Sequence, residues 1–511
     1  MRALIRAGKY PEEVLRPEAA MQRGQNGVFG SNVGNLLFSD AVYRTLKVPG
    51  AELVPDAFST ERAGVDDAHI ARINREFEHF VLPLANAFRP EFLPALNRLS
   101  TVIEQLRIPV TVIGVGAQLS AAQGDSIDHL PAKLTAPVSR FMRAALDRSA
   151  KVGVRGEFTR DYLAALGFGE EHVEVIGCPS LLDRSEYQIT KHLDGLSSSS
   201  RLAFNAVPAM AMMGDVLDSH RERFPMTYYV QQEHRELALL LWGKPIAQKA
   251  AAAFPRSTEH PNYRRDVLRF FTDPASWRAF LAECDFSFGN RIHGNIAALT
   301  AGTPAVVLSH DSRTRELAEY HRIPYRSVPG NPDDVRAEEL YESADFTAFH
   351  EVQAENLGRY TAFLEANSLE HIHSPGKANS EYEAVLADVR PAPPVRSLAV
   401  EGQEALVSRI NWLWQSAETD QLRTADAYFP PFVPDSDPAA RRDNTRTIPL
   451  IPVRLNDAEQ QLARLRADLA ALRKELDEVR RWSTRRFAFI PEGSALRRLA
   501  RRLDKGRRRA R

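Results

Sequence analysis

Along the first 182 residues short apolar runs alternate with amphipathic stretches, and the spacing predicts a repeated strand–helix unit. Arg107–Gly114 (RIPVTVIG) reads as a strand, Val138–Ser149 as a helix, Lys151–Val154 as a strand, Thr159–Leu166 as a helix and Val173–Ile176 as a strand. Alternation at that pitch folds as a parallel sheet covered on both faces. Asp183–Arg201 is polar and ends in the serines 197–200, which reads as a linker. The pattern then restarts, with Leu202–Val207, Thr227–Val230, Asp285–Phe288 and Ala305–Ser309 as strands and Trp277–Ala282 and Ile296–Ala301 as helices. The expected fold class is therefore α/β, with two Rossmann-like doubly wound domains over residues 1–195 and 196–380. Ligands should sit in the cleft at their carboxyl strand edges.

Beyond residue 380 the pattern changes twice. Residues 381–451 are rich in proline and are expected to be irregular, apart from a docking helix at Val407–Trp414. Residues 452–480 carry a clean heptad: Leu455, Leu462, Leu469 and Leu476 at one core position, and Ala458, Leu465, Leu472 and Val479 at the other. Four such repeats predict a coiled coil, and the offsets Asp468 to Arg473 and Glu475 to Arg480 suit a parallel pair. A homodimer through residues 455–480 is expected, against the alternative of one amphipathic helix lying on the chain's own body.

Charge is distributed unevenly. Lys+Arg and Asp+Glu are 66 each, yet residues 480–511 hold thirteen Lys or Arg against only Glu492 and Asp504, so the rest of the chain is net negative. That excludes a basic, nucleic-acid-binding body, and no nucleic-acid partner is expected. In the tail, 481–511, Leu496, Leu499, Ala500 and Leu503 recur at helical spacing among arginines, the layout of a helix resting on an anionic membrane surface through residues 491–511. The competing reading is a solvated basic terminus. Only Cys178 and Cys284 occur, without a CxxC pair, so neither a disulfide framework nor a zinc site is indicated. The N-terminus lacks an apolar signal region, and the longest nearly apolar run, Ala297–Leu308, is broken by Thr300, Gly302, Thr303 and Pro304. A cytoplasmic protein, peripheral at the inner membrane face if the tail binds there, fits these features.

The chemistry concentrates in Phe286–Leu308, FSFGNRIHGNIAALTAGTPAVVL. A buried-type strand runs into Asn290, presents Arg291 and His293, and opens a helix through Gly294. Backbone N–H groups at a helix start favour an anion, an arginine beside them adds a bidentate partner, and histidine exchanges protons near neutral pH. From spacing alone His293 is as readily a hydrogen-bonded core histidine. Three further segments share the strand-then-polar-turn form: Gly27–Asp40, with Asn32, Gly34 and Asn35; Ile113–Gln118, with Gly116 and Gln118; and Val152–Arg160, with Arg155. Each has a bland counterpart in a tight turn or a surface ion pair.

Together these segments resemble the polysaccharide pyruvyl transferase family over roughly residues 20–330, most closely in VGVRGEFTRDYLAALGF, VIGCPSLL and FSFGNRIHGNIAALTAGTPAVVLSHDSRTRELAEYHRIP. The resemblance implies two Rossmann-type domains in a GT-B-like arrangement. It also implies transfer of the pyruvyl skeleton of phosphoenolpyruvate to sugar hydroxyls of a glycan acceptor, with no cofactor and no metal. It assigns the family's functional Arg and His to Arg291 and His293 and its N-domain arginine to Arg155. The family's Asn-x-Gly-Asp appears as Asn32-Val33-Gly34-Asn35, without the carboxylate, and its Asp-x-Lys as Asp311-Ser312-Arg313, with the charge kept. Asp311 would orient His293 if the fold brings them together. Substrate contacts are thus expected from Asn32, Gly34, Asn35, Gly116, Gln118, Asn290, Gly294, Asp311 and Arg313. Two rivals stand beside this reading: a GT-B glycosyltransferase using a nucleotide-sugar, although Glu283–Glu316 lacks the E-x7-E carboxylate pair, and a non-catalytic glycan-assembly scaffold.

Overall fold

The computed structural model describes residues 1–22, 27–62, 65–119, 126–246 and 253–418. The segments expected to form the coiled coil (452–480) and the basic tail (481–511) lie outside the described residues.

The first sheet is wholly parallel. Strands β1 (Arg2–Ile5), β2 (Glu52–Pro55), β3 (His79–Pro83) and β4 (Val110–Ile113) lie in the order β2-β1-β3-β4. A bridge between Val115 and Val154 carries the sheet on to β5 (Val152–Val154) and β6 (Val173–Val175). Inner strands such as HFVLP and VTVI are buried at every position because helices cover both faces. Alternate side chains go to different cores: Leu4, Phe80, Leu82, Val110 and Val112 pack with the helices Leu93–Gln105 and Thr135–Leu146. Ala3, Ile5, Val81 and Ile113 face the opposite way, with Val42, Tyr43 and Leu46 of the helix Gly34–Leu46.

The second sheet comprises β7 (Leu202–Asn205), β8 (Thr227–Gln231), β9 (Leu268–Phe270), β10 (Phe286–Gly289), β11 (Ala305–Ser309) and β12 (Tyr325–Ser327). Its order is β12-β11-β10-β7-β8-β9, again with every pairing parallel. The two topologies are the two common doubly wound ones, and each reverses direction at one place: between β1 and β3 in the first sheet, between β7 and β10 in the second. Crevices open at such reversals, at the carboxyl ends of the strands.

Two sequence expectations need correction. The second half does not close on itself within 196–380, because Tyr360, Phe363 and Leu364 of the helix Thr347–Ala366 pack in the same core as Ala3, Ile5 and Ile113 of the first sheet. The exposed apolar face of a sheet is covered by whichever helix reaches it, and here the chain crosses back to do so. Nor is the segment from 381 irregular throughout. A helix spans Ser380–Ala387, Val395 bridges Phe270 at the edge of the second sheet, and Leu398–Glu418 is helical on both sides of a break at Gly402, its second part containing the expected docking helix. Trp412 is buried there, and Arg409 pairs with Glu18 at 3.1 Å. The prolines 391, 393 and 394 fall between the two helices, where they cost no helical hydrogen bond. No helix among the described residues is long and apolar enough to cross a membrane.

Candidate functional site

Both reversals open onto one cavity of about 610 Å³. The first domain lines it with Arg6, which follows β1, and with Leu84–Ala87, which follow β3, as well as Asn32, Asn35, Gln118 and Arg155. The second domain adds Val207 beyond β7 and Arg291, Ile292 and His293 beyond β10, with Gln232, Glu233, His310 and Arg313.

The β7/β10 edge is tightly built. Asn205, the last residue of β7, accepts from the Arg291 amide at 2.9 Å and donates to Asn295 at 3.0 Å, while Ser287 Oγ also donates to Asn295, at 3.2 Å. Asn290 accepts from the Val207 amide at 2.7 Å and is fully buried, so it fixes the turn and does not reach the cavity. Gly294 likewise serves packing, since a Cβ there would lie 2.7 Å from Asn205 and Gln232. Neither is among the residues that line the cavity. Arg291 lines the cavity, but its guanidinium already donates Nε to the Ala206 carbonyl at 3.2 Å and Nη2 to the Glu233 carboxylate. Glu233 in turn pairs with Arg235 at 2.5 Å and caps the helix His234–Trp242.

His293 is the second residue of the helix Ile292–Thr300. Gly34 lies against it: a Cβ at that position would be 2.8 Å from the His293 ring, which explains a glycine at the start of the facing helix. Phe38 meets the ring edge-on at 6.1 Å, and Nε2 is 3.9 Å from the Cys178 thiol. Burial, reinforced by the positive charges of Arg155, Arg313 and Arg291, pushes its pKa down to about 3. The imidazole is thus neutral at physiological pH.

Arg155 is the opposite of Arg291. It is 1% exposed, and none of its three guanidinium nitrogens has a hydrogen-bond partner. Its stem lies on Gly116, where a Cβ would be 2.3 Å from Nε, so Gly116 is a floor for the arginine and not itself a cavity residue. Burial pushes its pKa down to about 10, with Arg313 adding to the effect and Glu316 opposing it. It remains a cation at neutral pH, and a buried cation without a partner costs several kcal/mol of order-of-magnitude desolvation. Glu316, from the helix Ser312–Tyr320, reaches across to the first domain and accepts from Thr159 N at 3.1 Å and Thr159 Oγ1 at 3.0 Å. Thr159 Oγ1 also accepts from the Ala117 amide at 3.0 Å, beside Gly116. Burial raises the Glu316 pKa to about 8, only partly offset by Arg155 and by Thr159.

The remaining expected residues divide. Arg313 lines the cavity, its Nη2 held by Asp311 at 3.2 Å, and Gln118 lines it too, donating to Asp311 at 3.2 Å. Asp311 itself caps the helix Ser312–Tyr320 through the Thr314 amide at 2.8 Å. Burial, which would raise its pKa, is outweighed by Arg313, His310 and Thr314, so it is held low. Its bonds go to Thr314, Gln118, Arg313 and His310, and it does not orient His293, correcting that expectation. Asn32 accepts from Gly34 N at 2.8 Å, a local turn that aims the helix Gly34–Leu46 at the cavity. Asn35 donates Nδ2 to the carbonyls of Phe29 and Gly30, at 2.8 and 3.2 Å. A carboxylate there has no proton to give, so the asparagine is a structural donor that holds the preceding loop.

Residues the sequence reading passed over are Asn205, Glu233, Glu316 and Arg89. Asn205 closes a strand and Arg89 follows one, in the same polar-turn form used to find the others, so their signal was present. Glu233 and Glu316 had none, because each acts across a long sequence separation. Among the described residues no group of three or more His, Cys, Asp or Glu side chains could hold a metal ion.

A family model described as polysaccharide pyruvyl transferase matches residues 32–312. No curated protein matches the chain. Similar solved structures include the S. aureus MnaA–UDP co-structure, 11% identical with a TM-score of 0.35, covering 77% of this chain and 99% of that one. The UDP-GlcNAc 2-epimerase of Neisseria meningitidis bound to UDP-GlcNAc is 9% identical with a TM-score of 0.40, covering 71% and 100%. That of Methanocaldococcus jannaschii, in complex with UDP-GlcNAc and UDP, is 9% identical with a TM-score of 0.39, covering 71% and 99%.

Proposed function

The chain belongs to the polysaccharide pyruvyl transferase family, and we propose that it moves the pyruvyl skeleton of phosphoenolpyruvate onto hydroxyls of a sugar in a cell-surface polysaccharide or its precursor, closing a ketal and releasing phosphate. The observation that carries this reading is Arg155, a buried guanidinium with three unpartnered nitrogens facing a cavity shared with Arg313 and His293. A donor with a phosphate and a carboxylate on one small frame supplies the missing acceptors, and fork-shaped arginines suit both groups.

Chemistry follows from the protonation states. Neutral His293 takes the proton of the attacking sugar hydroxyl as the oxygen bonds to the enol carbon and passes that proton on to the methylene, which becomes a methyl group, so the imidazole ends neutral. Attack by the second hydroxyl expels phosphate, which leaves with that hydroxyl's proton, and the ketal closes. Arg155 and Arg313 stabilise the charge gathering on the departing phosphate. With Arg291 held on Glu233, His293 stays at a fixed angle to the donor, which is where orientation contributes.

The test is incubation of the purified protein with phosphoenolpyruvate and candidate sugars, reading phosphate release and the mass of the product. Stoichiometric phosphate and an added pyruvyl group support the proposal. Nucleotide release from a nucleotide-sugar, without any phosphate from phosphoenolpyruvate, would assign the cleft to a glycosyltransferase instead. No turnover with either donor, together with no binding of phosphoenolpyruvate, would leave the scaffold reading.

A further inference from the structure

The carboxylates and histidines that line the cavity are Glu61, Glu91, Glu233, His293 and His310. The carboxylates are spoken for or open to water: Glu61 is held by Arg6 through bonds of 2.7 and 3.0 Å, Glu233 by Arg291 and Arg235, and Glu91 is exposed. That leaves the two histidines as bases. Closing a ketal moves two hydroxyl protons, and His293 accounts for the first.

His310 directly follows β11, and β11 pairs in parallel with β10, Gly289 lying beside Val307, so the two histidines leave adjacent strand ends. The His310 amide donates to Thr314 Oγ1 at 3.3 Å, and ring Nε2 lies 3.5 Å from Asp311 Oδ2. A carboxylate beside one ring nitrogen draws the proton there and leaves the lone pair on the other. That other nitrogen, Nδ1, is buried and has no hydrogen-bond partner among the described residues, in a side chain 14% exposed. Burial lowers the His310 pKa, with Asp311 opposing and Arg313 and Arg291 adding to the effect, so the ring is neutral at physiological pH. The same Asp311 oxygen holds Arg313 at 3.2 Å. One carboxylate therefore ties an unpaired base to the arginine that stabilises the departing phosphate.

We infer that His310 is a second catalytic base of the cleft: its Nδ1 takes the proton of the sugar's second hydroxyl as that oxygen bonds to the former enol carbon, and gives it to the phosphate oxygen as the bond from that carbon to phosphate breaks. This rests on the pyruvyl-transfer reading. One carbon–oxygen bond forms, one breaks, phosphate leaves with the transferred proton, and the imidazole returns to its neutral form. A base aligned by a carboxylate is the arrangement that activates a hydroxyl for attack. With His293 returning its own proton to the methylene, each histidine serves one hydroxyl, and neither ring has to swing between two positions on the sugar.

The experiment is a base-quenched single turnover of the full-length protein with phosphoenolpyruvate and the sugar that wild type pyruvylates fastest, using wild type, His310→Gln and His310→Ala. Mass spectrometry separates the ketal from the open adduct, in which the first hydroxyl has added and the phosphate is still attached. Wild type should pass to ketal with little adduct. In both variants phosphate release should fall at least about a hundredfold while the adduct accumulates, with affinity for phosphoenolpyruvate unchanged. Added imidazole should restore ketal formation in His310→Ala and not in His310→Gln, a rescue that a packing role would not give. Unchanged phosphate release overturns the inference, as does loss of adduct and ketal together, or an adduct in His310→Ala that imidazole does not relieve. Should His310→Ala fail to fold, the adduct in His310→Gln decides alone. Failure of wild type to release phosphate with any sugar sinks the pyruvyl-transfer reading instead.

Discussion

At the β7/β10 edge of the cleft the polar groups end on one another: Asn205 on Arg291 and Asn295, Asn290 on Val207, and Arg291 on Glu233. On the wall of the first sheet, Arg155 ends on nothing and is still 1% exposed. Both walls carry an arginine in a cleft, yet one arginine is a finished part of the fold and the other is held in readiness. The difference teaches where to look for a ligand. A satisfied cation positions its neighbours, while a buried unsatisfied one stores a cost that an incoming anion relieves.

The largest expected effect tests that stored cost directly. Arg155→Met should lower turnover of phosphoenolpyruvate at least about a hundredfold, since two charge-assisted contacts of ~1.5 to 3 kcal/mol are lost, and should at the same time raise the melting temperature. Phosphate-release kinetics and scanning calorimetry read the two halves. A variant that melts earlier than wild type would erase the contrast between the walls.

Next in size is His293→Ala, expected to lower kcat by about a hundredfold through loss of the proton acceptor. Its pH signature is separate. Unfolded histidine takes up a proton near 6.5, whereas the native ring resists until about 3, so His293 makes the fold lose stability as pH falls through that window. Acid titration of the alanine variant should lack that share of the slope.

Glu233→Gln leaves Arg291 in place with a weaker anchor. About a tenfold loss in kcat is expected, with little change in donor KM, because orientation and not charge is removed. A rise confined to donor KM would instead give Arg291 a direct grip on the donor.

Smaller again is Glu316→Gln. With its pKa raised from 4.5 to about 8, the native carboxyl keeps a proton that the unfolded chain releases, so stability declines as pH rises between those values. Above about 8 the ionised carboxylate competes for Arg155, and donor affinity should weaken. The glutamine variant should show neither slope, and retention of both would remove Glu316 from the cation's environment. Least of all, truncation before Leu455 should leave turnover unchanged, while sedimentation reports a lower mass if residues 455–480 make the dimer. Liposome co-sedimentation then asks the same of residues 491–511.

Much of the architecture is legible because parallel strands write their burial as short, mostly apolar runs, as Val110–Ile113 and Ala305–Ser309 do. The polar turns after strands pointed to Arg155, Arg291 and His293, since residues at carboxyl strand edges converge whatever the loops do. Roles were harder to read. Asn290 and Gly294 stand in the same turn as Arg291 yet point into packing, because direction depends on neighbours such as Asn205 that lie eighty or more residues away in the chain. Glu316 shows the same limit, its task being set by Thr159 of the other domain.

The helix Thr347–Ala366 carries a practical consequence for anyone dividing this protein. Since its Tyr360, Phe363 and Leu364 cover Ile5 and Ile113, the first domain as the chain is written, residues 1–195, is missing part of its own lining. Expressed alone, such a fragment would expose the part of that apolar face which the helix Gly34–Leu46 does not cover, and should be recovered as aggregate. Supplying residues 347–366, joined by a linker or added as a peptide, is what would bring it into solution.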